Sequence, residues 1–171
     1  MNINGSLLSF LVFIFVLASC GKGVSPTPTP AVNPNLAVIE TALDSFANRL
    51  ASDPPTHTNL GGKIYIYLNS HPAFFYGSTV TLLDSNGKAI FSPYYYRNNG
   101  DIDSVSLMDS SYHIDNQDWL RQPIDLGYSI WTAPYFDAGG GEIWMRTRSV
   151  PIFINGKIFA VATTDLQVDK P

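Results

Sequence analysis

Cysteine is nearly missing from this chain: Cys20 is the only one in 171 residues. A lone cysteine excludes an internal disulfide, and its place near the N-terminus leaves the rest of the chain without a thiol nucleophile. Basic charge is also scarce. Ten Lys and Arg stand against fourteen Asp and Glu, for a net charge of −4, and only Arg146 and Arg148 sit close together. Nucleic-acid binding draws much of its affinity from phosphate contacts and calls for a basic face, so that class is excluded. The apolar run from Leu7 to Ala18 falls short of the roughly 20 residues that span a bilayer. Histidine is limited to His57, His71 and His113, far apart in sequence and without a His-x-x-x-His pair. The sequence has no Gly-x-Ser-x-Gly elbow. No Gly-Lys-Ser/Thr follows the Gly139-Gly140-Gly141 run, so that run is no phosphate loop. Six of the fourteen acids fall between Asp101 and Asp125, yet no Asp-x-Asp-x-Asp-Gly loop with a distal glutamate is present to hold calcium. Neither an enzyme nor a bound metal or cofactor is expected.

The amino terminus carries an address. The short apolar run ends in Leu17-Ala18-Ser19-Cys20, which reads as a signal peptide with a small-residue cleavage site. Hydrophobic, small, small, Cys is similar to the bacterial lipobox, whose cysteine is acylated after cleavage. Residues 1–19 are thus expected to be a lipoprotein signal peptide and Cys20 the lipidated residue, anchoring the chain on a membrane. That location is extracytoplasmic, on the periplasmic side or at the cell surface, and Gly21 in place of an aspartate favours the outer of two membranes. Residues 20–35 alternate prolines with threonines and small residues, a composition that favours an extended spacer.

Residues 36–171 are expected to form one domain. Leu36, Ile39, Leu43, Phe46 and Leu50 recur at three- and four-residue spacings, predicting an amphipathic helix over 36–50 capped by Asn35 and closed by Pro54-Pro55. Ile64, Ile66 and Leu68 alternate with Tyr65 and Tyr67, predicting a strand over 63–69. Strands are also predicted over 78–84 and 88–96, joined by Ser85-Asn86-Gly87, and over 144–154 and 157–165, joined by Asn155-Gly156; Asn-Gly is a strong tight-hairpin signal. From Asp101 to Gly127 the pattern becomes polar and irregular, with short helical turns. One helix followed by five or six strands reads as an α+β domain with an antiparallel sheet.

The last third adds a pattern of its own. Trp119, the run Trp131-Thr132-Ala133-Pro134-Tyr135-Phe136-Asp137 and the closing Ala162-Thr163-Thr164-Asp165-Leu166 follow at set intervals. This resembles the Cache domains, extracytoplasmic sensor modules of bacterial chemoreceptors, histidine kinases and membrane-bound phosphatases. The Pro134-Tyr135-Phe136-Asp137-Ala138-Gly139-Gly140-Gly141 run is most similar to sensor halves of membrane-bound serine phosphatases, whose catalytic part has no counterpart here. The resemblance covers roughly residues 36–169. It implies a PAS-like antiparallel sheet with the first helix packed behind it, as a single module.

It also implies a ligand pocket. In amino-acid-sensing members, tyrosine, arginine, tryptophan and tyrosine come from one loop, tyrosine and aspartate from a mid-domain strand, and aspartate from the final strand. Tyr112, Trp119, Tyr135, Asp137 and Asp165 match five of these seven positions. Gln117 stands where the carboxylate-binding arginine is expected, and Leu120 replaces a tyrosine. Two carboxylates and phenol oxygens can surround an ammonium, with the indole adding cation–π attraction. A neutral amide cannot form the charged fork an arginine offers, unless Arg121, Arg146 or Arg148 supplies that charge. The expected ligand is an amine-like or small polar metabolite, contacted by Tyr112, Gln117, Trp119, Tyr135, Asp137 and Asp165. Signalling is expected to run through a membrane receptor or kinase partner. Each residue has a plainer reading: Trp119 and Trp131 as core aromatics, Asp137 as a turn former, Asp165 as a solvent-facing strand end. The alternative function is an interaction or structural lipoprotein that keeps the fold without a ligand.

Overall fold

The structure, a computed structural model, describes residues 33–171. The signal peptide, Cys20 and most of the spacer lie outside the described residues. Helix α1 runs from Pro34 to Ser52, two residues earlier than expected at its start. The cap is Asn33, whose side chain accepts a hydrogen bond from the Asn35 backbone N–H at 3.0 Å. Pro34 then occupies the first turn, where its fixed φ suits a helix and its missing N–H costs nothing. The expected stripe is the buried one: Ile39, Leu43, Phe46 and Leu50, joined by Ala47.

Residues Leu60–Asn69 form a second helix, α2, where a strand was expected. Every residue from Ile64 to Leu68 is apolar or aromatic, so alternation could not be told from a helical face. The burial pattern decides: Leu60, Ile64, Tyr67 and Leu68 are buried, while Ile66 is 68% exposed. Tyr67 stacks on Phe46 at 4.3 Å and bonds Thr164 through its hydroxyl at 2.8 Å, tying both helices to the sheet.

The sheet is antiparallel throughout and holds eight strands among the described residues. Five are long: β1 (Gly77–Leu83), β3 (Pro93–Asn98), β4 (Asp101–Ser106), β7 (Trp144–Ile154) and β8 (Lys157–Gln167). Three are short: β2 (Ala89–Phe91), β5 (Ile130–Trp131) and β6 (Tyr135–Phe136). The order is β4-β3-β1-β8-β7-β5, with β2 on β1 and β6 on β7. The first expected hairpin turns as foreseen, with Asp84 Oδ1 accepting from the backbone of Asn86 and Lys88. Its second strand breaks at Ser92, whose buried hydroxyl bonds Thr79 and Thr81. The second hairpin, β7–β8, forms as expected around Asn155-Gly156.

Strand β4 lies within the stretch expected to be irregular. It is an edge strand with almost every residue exposed, so no buried face marks it in the sequence; backbone pairing to β3 makes it. Helix α3, Asp118–Leu126, follows a single 3-10 turn and stops at Gly127 in the left-handed conformation. Helices α1 and α2 cover one face of the sheet, where Val80, Val150, Ile152, Ala160, Ala162 and Leu166 complete the larger core. On the other face Tyr94, Leu107, Tyr112, Ile114, Trp119, Leu120 and Val161 form a second core. Alternation along β7 and β8 sends Thr147 and Asp165 to this second face, away from the main core.

Candidate ligand-binding site

The second face encloses a small cavity of about 10 Å³. Its wall includes Tyr112, Trp119, Tyr135, Asp137 and Asp165, five of the six residues expected to touch a ligand, together with Thr79, Tyr94, Leu107, Thr147 and Thr163. These five come from separate segments: the 107–117 loop, α3, β6, the start of the glycine loop and β8. Each carboxylate sits at the end of a hydrogen-bond chain. Trp119 Nε1 donates to the Tyr112 hydroxyl at 3.2 Å, and that hydroxyl donates to Asp137 Oδ1 at 2.7 Å. On the other side the Thr147 hydroxyl donates to Asp165 Oδ1 at 2.7 Å. With that proton committed, the Tyr135 hydroxyl, 2.8 Å from Thr147 Oγ1, is the donor of its pair.

Asp137 also organises the glycine loop, so its turn-forming reading holds beside its place in the cavity. Its Oδ2 accepts the Gly141 N–H at 2.6 Å. A Cβ at Gly140 would collide with this carboxylate, and one at Gly141 would press on Met145 and Tyr94. The run of glycines is therefore a close-approach requirement, not only slack in a hairpin.

Burial dominates the electrostatics. Asp165 is 3% exposed. Burial, reinforced by the Asp137 charge, pushes its carboxyl up to about 7 against the opposing Thr147 hydrogen bond and a smaller pull from the Tyr94 hydroxyl. Burial also raises Asp137, while the Gly141 N–H and the Tyr112 hydroxyl pull it back. Burial, with both carboxylates adding to it, raises Tyr94, Tyr112 and Tyr135 well above the ordinary phenol value. These three stay neutral hydroxyls. Neither aspartate has a Lys or Arg ion pair among the described residues.

Gln117 lies outside this cavity. Its Nε2 donates to the Tyr112 carbonyl at 2.8 Å, and its side chain lines an outer pocket of about 370 Å³ with Asn116, Asp118, Thr132, Ala133 and Pro134. Trp119 and Tyr135 belong to both walls, so they stand between the inner and outer spaces. Leu120 is fully buried in the second core. The three arginines considered as replacements for the missing one are used elsewhere. Arg121 bonds the Gly87 carbonyl and Asp125, Arg146 bonds the Thr132 carbonyl over the Trp131 ring, and Arg148 approaches Asp44 at 3.8 Å. Trp131 is not part of the cavity; its Nε1 donates to Glu40 on α1 at 2.7 Å.

Five lining residues were not anticipated: Thr79, Tyr94, Leu107, Thr147 and Thr163. Thr147 is legible only once β7 is known to alternate Met145, Thr147 and Ser149 toward the cavity face. Tyr94 opens a Tyr94-Tyr95-Tyr96 run in a strand, where period-2 alternation puts Tyr94 and Tyr96 on one side; their rings stack at 5.5 Å.

The comparisons with known proteins agree with this fold. Residues 64–170 match the family model described as "Methyl-accepting chemotaxis protein-like, first PDC sensor domain". The chain belongs to that family. Among solved structures, the extracellular domain of a protein assigned as a histidine kinase matches with a TM-score of 0.67 at 24% identity, covering 79% of this chain and 54% of its own. The ligand-binding domain of the Campylobacter jejuni chemoreceptor Tlp3, in complex with L-valine, matches with a TM-score of 0.57 at 17% identity over 78% of this chain and 52% of that one. The ligand-binding domain of the Pseudomonas aeruginosa amino acid chemoreceptor PctC, in complex with GABA, gives 0.53 at 19% over 77% and 56%. At these identities the likeness establishes a shared fold. The PDC chain spans about half the length of the sensor domains it matches. No curated protein matches its sequence.

Proposed function

We propose that this PDC domain is an extracytoplasmic, lipid-anchored, sensor-type module that binds a small amine-bearing metabolite and signals through a separate membrane receptor or kinase. The observation that carries the reading is the pair Asp137 and Asp165: two carboxylates sharing one cavity, with no Lys or Arg paired to either among the described residues. Buried charge without a partner is costly, and a ligand ammonium offsets that cost. Trp119 supplies an aromatic wall suited to a cation. The molecules named with the Tlp3 and PctC domains, L-valine and GABA, both carry an amino group. Gln117 offers an amide where a guanidinium would grip a carboxylate, which favours amines over α-amino acids. Lipid anchoring rests on Leu17-Ala18-Ser19-Cys20, and no described helix is long and apolar enough to cross a membrane.

The small inner volume, about 10 Å³, favours a second reading, an interaction lipoprotein whose fold no longer takes a ligand. A thermal-shift panel of primary amines, L-amino acids and carboxylates on the full chain separates the two. Saturating ligand at a hundred times its dissociation constant adds about 2.7 kcal/mol. Shifts with primary amines that vanish in Asp165→Ala are the expected result. Shifts with amino acids and none with amines refute the amine preference. A flat panel refutes the sensor reading and leaves the second.

A further inference from the structure

Three tyrosine hydroxyls reach the inner cavity, and two are spoken for. Tyr112 gives its proton to Asp137, and Tyr135 gives its proton to Thr147. Of the threonines on the wall, Thr79 bonds Ser92 and the Pro93 carbonyl, Thr147 bonds Asp165, and Thr163 accepts the Thr79 N–H. Tyr94 is different. It is 2% exposed and lines the cavity with Asp165, and its hydroxyl lies close enough to that carboxyl to pull on its proton without completing a well-formed hydrogen bond to any protein atom. A hydroxyl buried at this depth without a well-formed hydrogen bond destabilises the empty domain.

Gly77 shows how closely the position is specified. In the sheet Gly77 pairs with Asp165 on β8 and with Tyr96 on β3. A Cβ at Gly77 would run into the Tyr94 hydroxyl and ring. The phenol therefore lies directly on the glycine that is the register partner of buried Asp165, and it stacks on Tyr96, which fixes its plane.

We infer that Tyr94, seated on Gly77, is a specificity-determining arm of the site, completing with Asp137 and Asp165 a three-oxygen cradle for an unsubstituted –NH3+ group and so selecting primary over N-methylated amines. The inference rests on the ligand-binding reading above and adds a residue and a selectivity to it. An ammonium has three diverging N–H donors and is best held by three acceptors. The inner cavity has room for about one water-sized group, which an –NH3+ matches and a trimethylammonium exceeds. The remainder of the molecule lies past Trp119 and Tyr135 in the outer pocket of about 370 Å³. Because burial keeps Tyr94 neutral, its oxygen retains both a lone pair for the ammonium and a proton for a carboxylate.

The test is calorimetric titration of the full chain with n-butylamine, 2-phenylethylamine and 1,4-diaminobutane, each paired with its N,N,N-trimethyl counterpart, on wild type, Tyr94→Phe and Asp165→Asn. Wild type should bind at least one primary amine, with its trimethyl counterpart at least about tenfold weaker. Tyr94→Phe should weaken that amine by roughly tenfold to a hundredfold, as for a hydrogen bond to a charged group. Its melting temperature without ligand should stay level or rise, since a buried hydroxyl without a well-formed hydrogen bond is removed; a merely structural tyrosine would lower it. Primary-amine binding that is lost in Asp165→Asn but intact in Tyr94→Phe overturns the inference and keeps the sensor reading. Equal binding of the trimethyl compounds overturns the cradle. A wild type that binds none of the amines overturns both.

Discussion

Replacing Asp165 by Asn keeps the side chain's shape and an acceptor for Thr147 while removing a charge from a site that is 3% exposed. Burial and the neighbouring Asp137 push this carboxyl up to about 7, from 3.8 for a free aspartate. A group whose folded pKa lies above its unfolded one stabilises the fold fully below the unfolded value, and that contribution is lost as pH rises through the folded value. The window here is pH 4 to 7. By pH 8 the ionised carboxylate costs the empty domain about 4 kcal/mol relative to pH 4. Asp165→Asn should therefore be more stable than wild type at pH 8 by up to about 4 kcal/mol, on the order of 10 °C in melting temperature for a domain of this size. The two proteins should converge toward pH 4. Urea unfolding at half-unit steps from pH 4 to 8 measures both curves. A wild-type curve that matches the mutant's slope, or a mutant less stable than wild type at pH 8, would refute the reasoning. A bound ammonium should lower the Asp165 pKa, so binding near pH 7 should release about half a proton, readable by calorimetry in two buffers of different ionisation enthalpy.

Gln117→Arg places a guanidinium in the outer pocket beside Trp119 and Tyr135. It should shift preference toward L-amino acids by tenfold or more in competition titrations, and an unchanged preference would remove Gln117 from the specificity argument. Gly140→Ala drives a Cβ into the Asp137 carboxylate. It should speed backbone hydrogen exchange across residues 138–142 and weaken amine binding, with a global cost of roughly 1 kcal/mol. Leu43→Ala empties a fully buried position where α1 meets the sheet. It should cost about 2–5 kcal/mol in urea unfolding and leave ligand preference unchanged.

Local patterns were legible where a single face is buried or a turn has its own chemistry. The α1 stripe reads directly because Ile39, Leu43, Phe46 and Leu50 face the core while the opposite side is wet. The Asn86-Gly87 and Asn155-Gly156 turns read directly because they need left-handed backbone, which Gly87 and Gly156 supply with φ of 75° and 76°. Two elements were not legible. Helix α2 alternates Ile and Tyr, apolar or aromatic throughout Ile64–Leu68, so its period is set only by which residues the sheet and α1 cover. Strand β4 is nearly all exposed, and pairing with β3 defines it.

The candidate site divides the same way. Residue types and their spacing singled out Tyr112, Trp119, Tyr135, Asp137 and Asp165, because carboxylates, phenols and an indole are chemically distinct along the chain. Their convergence on one cavity is a tertiary fact, since they come from five segments. Tertiary structure alone decided that Gln117 faces an outer pocket, that Arg121, Arg146 and Arg148 are engaged elsewhere, and that Tyr94 joins the site. The reason is physical: a sequence fixes which groups exist and which strand face each takes, whereas burial and partnership depend on what other segments bring against that face. Asp165 is an ordinary aspartate at the end of a strand until β1, β3 and β7 close around it and raise its pKa to about 7.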